Sequence, residues 1–256
     1  MPNPVVVTRP VAQARELAAQ VAALGRQVSV FPLLEIHPLP DARPLSAALA
    51  NLEPYGMVAF VSPNAIHSAF CRIRSWPQGV AIGVVGEGSR SALAEHGITS
   101  PAYTIFSPAT PEHSDSEGLL AALDIEKLRG KPVLIIRGET GRELLADALR
   151  ARGIQVEHVA AYRRSAPSPD PDRYQRLNAL LSVEQDWLIT SSEAVRNLVQ
   201  MTREAAGETG VRNLFQQAVL VPHSRIEQTA RELGFNQLIL TAPGDAGLLA
   251  ALQCRP

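Results

Sequence analysis

The stretch VVVTRPVAQARELAAQVAALGRQVSVFPLLEI, Val5 to Ile36, has a second version later in the chain: VLIIRGETGRELLADALRARGIQVEHVAAYRR, Val133 to Arg164. Arg9 and Arg137, Gly25 and Gly153, and Val28 and Val156 are each separated by half of the 256-residue chain. In the first copy, Val5–Val7 is a short run of β-branched residues that reads as a buried parallel strand. Val11–Leu24 then carries helical periodicity and stops at Gly25, a residue suited to the position after a helix end. Val28–Leu34 reads as a second strand, which completes a βαβ unit. The second copy repeats this as strand Val133–Ile136, a helix ending near Gly153, and strand Val156–Ala161.

The duplication continues outward. FVSPNAI from Phe60 matches ITSSEAV from Ile189, SRSALAEHGI from Ser89 matches IEQTARELGF from Ile226, and SEGLLAAL from Ser116 matches DAGLLAAL from Asp245. The pattern predicts strands at Met57–Val61, Val80–Val85, Trp187–Ile189, Ala218–Val221 and Leu238–Leu240, with a weaker one at Tyr103–Phe106. Helices are expected from Asn64, from Ser89 to His96, over Leu119–Leu123, up to Met201, up to Leu233, and from Asp245 to Leu252. Alternating β and α elements with apolar strands imply an α/β fold with parallel sheets covered on both faces.

The prolines shape the domain reading. DIEKLRGK, between the copies, has no linker character. The proline-rich segments are Pro38–Pro44 and Pro167–Pro171, each directly after a βαβ unit. Proline is expected to forbid helix and central strand there and to favour extended backbone. Two crossings between lobes are therefore expected. Residues 1–37 and 166–256 would form a discontinuous lobe one, and residues 40–164 an inserted lobe two. Each lobe would hold five βα-type elements in a flavodoxin-like parallel sheet, with a ligand between the lobes.

Composition narrows the function. Hydrophobic residues make up 46% and charged residues 19%, as expected of a globular chain, and the formal net charge of −1 offers no basic field for nucleic acid. No apolar run approaches the ~20 residues that span a bilayer. The start of the chain enters an apolar strand without a basic leader, and Cys71 and Cys254 lie far apart, so a cytoplasmic protein with two reduced thiols is expected. No long amphipathic seam calls for a dimer, so a monomer is expected.

In open parallel sheets, ligands bind beyond the carboxyl ends of the strands. The residues at those positions are Thr8-Arg9, Ser62-Pro63-Asn64, Gly86-Glu87-Gly88-Ser89, Arg137-Gly138, Thr190-Ser191-Ser192 and Pro222-His223-Ser224. They are mostly small, hydroxylated or basic, which suits an anion held by backbone N–H groups and helix N-termini. Helix capping alone accounts for Ser62, Ser89 and Ser191 taken singly. Surface placement or a lobe-linking salt bridge competes with anion binding for Arg9 and Arg137. Gly86-x-Gly88 lacks the third glycine of a dinucleotide fingerprint, Ser91 standing in its place, and reads as a turn. There is no phosphate loop, no nucleophile elbow, and no metal spacing among His37, His67, His96, His113, His158 and His223. Asp115 and Glu117 read as solvated loop charges.

Taken in order, Thr8-Arg9-Pro10, Leu33-Leu34-Glu35-Ile36, Phe60-Val61-Ser62-Pro63-Asn64-Ala65, Val84-Val85-Gly86 and Ala161-Tyr162-Arg163-Arg164 resemble the uroporphyrinogen-III synthase family across the whole chain. The resemblance implies two flavodoxin-like lobes joined by a two-stranded linker. It also implies a cofactor-free, cyclising hydro-lyase of tetrapyrrole biosynthesis (haem, sirohaem, cobalamin). The substrate would be hydroxymethylbilane, a polycarboxylate received from hydroxymethylbilane synthase. The product would be uroporphyrinogen III, formed with loss of water and inversion of ring D.

This chemistry is mainly a positioning problem, because the substrate also closes unaided to the unrearranged I isomer. Geometry supplies ~7–11 kcal/mol of such a barrier. By the same resemblance Tyr162 is the catalytic candidate, a phenol that helps the hydroxyl leave as water. Packing of the ring beside the linker is the competing reading. Arg9, Ser62, Asn64, Gly86, Ser89, Arg137, Gly138, Ser191, Ser192, His223 and Ser224 are the substrate-binding candidates. Ser62 and Ser224 match hydroxyl positions of the family, and His223 departs from its usual small hydroxylated residue. The alternative is a two-lobed, non-catalytic sensory module for a tetrapyrrole or small anion, disfavoured because no output domain accompanies it. A nucleotide-dependent enzyme is disfavoured by the missing phosphate loop.

Overall fold

The computed structural model describes residues 2–110 and 115–255, so His113 lies outside the described residues. Within them the strands are β1 (Val5–Val7), β2 (Val28–Val30), β3 (Glu35–His37), β4 (Met57–Phe60), β5 (Ala81–Val84), β6 (Ile105–Phe106), β7 (Val133–Gly138), β8 (Val156–Ser165), β9 (Asp186–Leu188), β10 (Ala218–Val221) and β11 (Gln237–Leu240). The helices are α1 (Val11–Ala23), α2 (Arg43–Leu49), α3 (Pro63–Phe70), α4 (Glu87–Glu95), α5 (Ser116–Ala122), α6 (Ile125–Leu128), α7 (Leu144–Arg150), α8 (Pro171–Leu181), α9 (Ser192–Leu214), α10 (Ser224–Leu233) and α11 (Gly244–Gln253). The chain divides into two compact units, Met1–Glu35 with Ser165–Pro256, and Ile36–Arg164.

In the first unit the sheet order is β11-β10-β9-β1-β2, and every neighbouring pair is parallel. Numbered along the chain within that unit, this is the flavodoxin-like order 2-1-3-4-5. In the second unit the order is β3-β8-β7-β4-β5-β6. Here β7 and β8, the copies of β1 and β2, come last in the chain but occupy the same places beside β4. The second unit is thus a circularly permuted version of the first, with β3 added at the edge. Its five core strands also pair in parallel.

Continuous burial along β1, β4, β5, β9 and β10 explains why these runs form central strands: both faces are covered. Val6, Trp187 and Val219 face one apolar layer of the first unit, while Val5, Val7, Leu188 and Leu220 face the other. Helix α1 buries Ala14, Leu17 and Val21, spaced at three and four residues, and ends before Gly25 at φ +77°. Gly153 does the same after α7, at φ +79°.

Several elements differ from the expectation. Strand β2 stops at Val30 and not at Leu34, because Pro32 has no N–H to continue the ladder; Leu33 and Leu34 are instead buried in the core, and Glu35–His37 joins the other sheet. The proline-rich segments do not exclude helix: Pro44 lies in the first turn of α2 and Pro171 opens α8, where a missing N–H costs nothing. Helix α9 runs past Met201 to Leu214, as two segments meeting at Gly207 with φ 62° and ψ −164°. Asp115 is a cap, its carboxylate accepting the Gly118 N–H at 2.9 Å at the start of α5, and Glu117 sits in that helix's first turn.

Two polar contacts anchor the cores. Asp186, fully buried in β9, accepts from Arg26 at 2.6 Å and from Arg255 at 2.9 Å. Arg26 also donates to the carbonyls of Asn3 and Leu252. This cluster lies at the amino-terminal end of the first sheet. In the second unit Tyr55 donates to Glu157 at 2.6 Å, and burial, reinforced by that carboxylate, pushes its phenol up to about 12. The folded state thus favours the neutral phenol. Its contribution is complete below the unfolded value of about 10 and disappears as pH rises from there through about 12. Urea unfolding at stepped alkaline pH is expected to show a steeper loss of stability in the parent than in Tyr55→Phe.

Candidate functional site

Each parallel sheet collects its strand-end residues at one end. In the first unit Thr8 and Arg9 follow β1, Ser191 and Ser192 follow β9, and His223 and Ser224 follow β10. Thr8 is buried, with its hydroxyl donating to the Leu188 carbonyl at 2.7 Å. Arg9 forms a salt bridge with Asp245 at 2.6 Å in the first turn of α11, inside the same unit, so it does not link the units. Ser191 caps α9 and accepts from the N–H groups of Glu193 and Ala194 at 3.2 and 3.4 Å. The Ser192 hydroxyl accepts from Thr229 at 3.0 Å. His223 caps α10, its Nδ1 accepting the Arg225 N–H at 3.1 Å, and so performs the task a serine or threonine would perform there. Ser224 is exposed at the first position of that helix.

In the second unit Ser62 and Asn64 follow β4, Gly86 and Ser89 follow β5, and Arg137, Gly138 and Tyr162 stand near the ends of β7 and β8. Ser62 is extended at φ −167° and caps α3, its Oγ accepting the Ala65 N–H at 3.2 Å. Asn64 is half-buried in that helix's first turn. Gly86 takes the cap position of α4, which starts at Glu87, so Ser89 is no cap; it lies inside the first turn, 3% exposed. Arg137 pairs with Glu143 at 2.5 Å and donates to the Arg142 carbonyl at 3.0 Å, again within one unit.

Tyr162 has the most specific surroundings. Its ring belongs to the apolar layer around Phe60, Ile66 and Ile136 and is 5% exposed. Its hydroxyl lies 3.0 Å from Ser62 Oγ. The sheet order explains how it gets there. Tyr162 is on β8, Ser62 follows β4, and β7 lies between them. The side chain must therefore cross a strand, about 5 Å from its neighbour on each side. It crosses at Gly138, where an added Cβ would sit 3.1 Å from Tyr162 Cζ and 3.3 Å from its hydroxyl oxygen. The strand register also shifts here: Arg137 faces Ala160, but Gly138 faces Tyr162, leaving Ala161 as the extra residue. The bulge places Ala161 and Tyr162 in succession on the same apolar layer and turns the tyrosine towards α3.

The acid partners of both arginines, the bulge and the role of Gly138 went unseen in the sequence. Asp245 and Glu143 stand in the first turn or at the cap of α11 and α7, so acidic residues at those helix starts were the available signal. Among the described residues, no cluster of three or more His, Cys, Asp or Glu side chains is placed to hold a metal ion. Cys71 and Cys254 are free and exposed. No helix in the described residues is long and apolar enough to cross a membrane.

Comparison with known proteins supplies the family. A family model described as uroporphyrinogen-III synthase HemD matches residues 15–250. The chain is 31% identical over 255 residues to the uroporphyrinogen-III synthase of Salmonella typhimurium, covering 97% of this chain and 99% of that one. It is 30% identical over 259 residues to the Escherichia coli protein of the same name, with the same coverage of both chains. The fold is shared with uroporphyrinogen-III synthetase from Helicobacter pylori, at a TM-score of 0.62 and 16% identity, covering 99% of this chain and 100% of the other. A uroporphyrinogen III synthase mutant from Thermus thermophilus gives a TM-score of 0.59 at 18% identity, covering 98% and 97%. The match therefore runs through both units and across the duplicated strand ends, and the chain belongs to the uroporphyrinogen-III synthase family.

Proposed function

We propose that this chain cyclises hydroxymethylbilane to uroporphyrinogen III, losing water and inverting ring D, as an enzyme of tetrapyrrole biosynthesis. Family membership spanning residues 15–250 is the observation that carries this reading. The two compact units are the two lobes of the enzyme. The substrate bears an acetate and a propionate on every pyrrole ring, so it needs many donors and few reactive side chains. Backbone N–H groups and hydroxyls at the starts of α3, α4, α9 and α10 suit such a polyanion. Arg9, Ser191, Ser192, His223 and Ser224 in the first unit and Asn64, Gly86, Ser89, Arg137 and Gly138 in the second are these donors, while the Ser62 hydroxyl faces Tyr162. Arg9 and Arg137 are held in place by Asp245 and Glu143, which orients each guanidinium before substrate arrives.

Tyr162 supplies the proton. As the carbon–oxygen bond of the hydroxymethyl group breaks, its electron pair stays on oxygen and the phenol proton completes the departing water. The resulting azafulvene cation attacks at the substituted carbon of ring D, giving a spiro intermediate that fragments and recloses inverted. The proton released when the final pyrrole regains aromaticity restores the phenol. Because hydroxymethylbilane closes spontaneously to the wrong isomer, direct handover from hydroxymethylbilane synthase shortens its exposure. The two free, exposed thiols fit a reducing cytoplasm, and the enzyme acts as a monomer.

Freshly prepared hydroxymethylbilane, incubated with the protein and resolved into I and III isomers after oxidation, tests the reaction. The III isomer is expected to dominate. Isomer I alone, at the rate seen without protein, would sink the proposal.

A further inference from the structure

The duplication gives each unit a capping serine at the same strand end, but only one of the two meets a phenol. Ser191 accepts two backbone N–H groups of α9, and the residue matching Tyr162 by the repeat is Leu34, buried in the core. Ser62 accepts one N–H, from Ala65, and its Oγ also lies 3.0 Å from the Tyr162 hydroxyl. A serine hydroxyl has one proton and two lone pairs. With one lone pair taken by the Ala65 N–H, the Ser62 proton still needs an acceptor, and the phenol oxygen is in reach.

From this geometry we infer that Ser62 is a positioning residue: it donates its hydroxyl proton to the Tyr162 oxygen and so directs the phenol proton towards the departing hydroxyl of the substrate. This rests on the role given to Tyr162 above. The chain runs from the Ala65 N–H to Ser62, from Ser62 to Tyr162, and from Tyr162 to substrate. Each link polarises the next, and the positive end of α3 stands behind the first. The same bond steadies the oxygen after its proton has left. Gly138 and the bulge at Ala161 hold the ring where this link forms. The cap duty of Ser62 is shared with Ser191; the donation to a phenol belongs to the second unit alone.

The test separates the cap from the link. Ser62→Gly keeps most of the capping preference while removing the hydroxyl, and Ser62→Thr keeps both. Ser62→Gly is expected to lower kcat about tenfold, with KM changed less than about twofold. Ser62→Thr is expected to recover kcat to within about threefold of the parent. In a Tyr162→Phe background, Ser62→Gly is expected to have no further effect, because a residue acting through the phenol has nothing left to act on. Folding of each variant is followed by circular dichroism and thermal melting. If Tyr162→Phe slows turnover and Ser62→Gly multiplies that loss, the Ser62 inference fails while the role of Tyr162 stands. If Ser62→Gly acts on KM alone, or leaves kcat at the parent value, the inference fails as well. If Tyr162→Phe turns over like the parent, the catalytic role of Tyr162 fails and takes the Ser62 inference with it.

Discussion

Tyr162→Phe is expected to lower kcat for uroporphyrinogen III formation roughly ten- to a hundredfold, at the low end of general-acid effects. KM should change little, since in the proposed role the phenol proton is used only as the carbon–oxygen bond breaks. The ring itself remains, so the packing around Phe60, Ile66 and Ile136 is preserved and melting temperature serves as the control. The variant loses one hydroxyl and the hydrogen bond to Ser62. Product taken by the variant should also contain more isomer I, because substrate that leaves unconverted closes in solution. Stopped-time assays with both isomers quantified provide the check. Turnover at the parental rate would mean that the buried ring serves packing alone.

The largest loss of stability is expected from Asp186→Ala. Removing that carboxylate leaves Arg26, whose side chain is 4% exposed, with its charge buried and without its carboxylate partner. Breaking a buried pair from one side costs about 3–5 kcal/mol. Arg255 loses its anchor too, which frees the end of α11 from β9. Urea unfolding monitored by far-ultraviolet circular dichroism gives the value directly. An apolar replacement of Asp186 and Arg26 together should recover part of the loss, because the cost lies in the orphaned charge. A single-variant loss below about 1 kcal/mol, the range of exposed pairs, would place the cluster in solvent.

Much of the fold could be read from local pattern. Val5–Val7, Met57–Phe60 and Ala218–Val221 are unbroken apolar runs, and continuous burial on both faces is what a central parallel strand requires. Helix α8 was hidden by its own first residue. Leu177, Leu180 and Leu181 have helical spacing, but Pro171 reads as a breaker unless its place in the first turn is known. Helix α9 was cut short for a related reason, since Gly207 interrupts the periodicity although Val211 and Leu214 resume it.

The candidate site was legible to the extent that it depends on chemistry at strand ends. Ser62, Ser191 and His223 all stand where a helix begins, and each caps one. The partners of Arg9 and Arg26 come from distant parts of the chain, and no local pattern announces a pairing set by topology. The direction of Tyr162 was hidden by the bulge. Strict alternation along β8 puts Ala161 on the layer that contains α3 and sends the next residue to the opposite face; one extra residue reverses that assignment.

The two crossings of the chain also fix the order in which the protein is completed on the ribosome. Strand β1 is among the first residues made, yet in the finished sheet it lies between β2 and β9. Its second neighbour emerges only with Asp186–Leu188, after the whole of Ile36–Arg164 has been synthesised. The inserted unit, Ile36–Arg164, is therefore the earlier one to fold, as a contiguous stretch of nascent chain, while the apolar Val5–Val7 waits with one edge unpaired. Domains fold as units during synthesis, and exposed strand edges in such intermediates attract aggregation. The vulnerable species of this enzyme is a half-built one, in which the oldest strand is still without the partner that the last third of the chain brings.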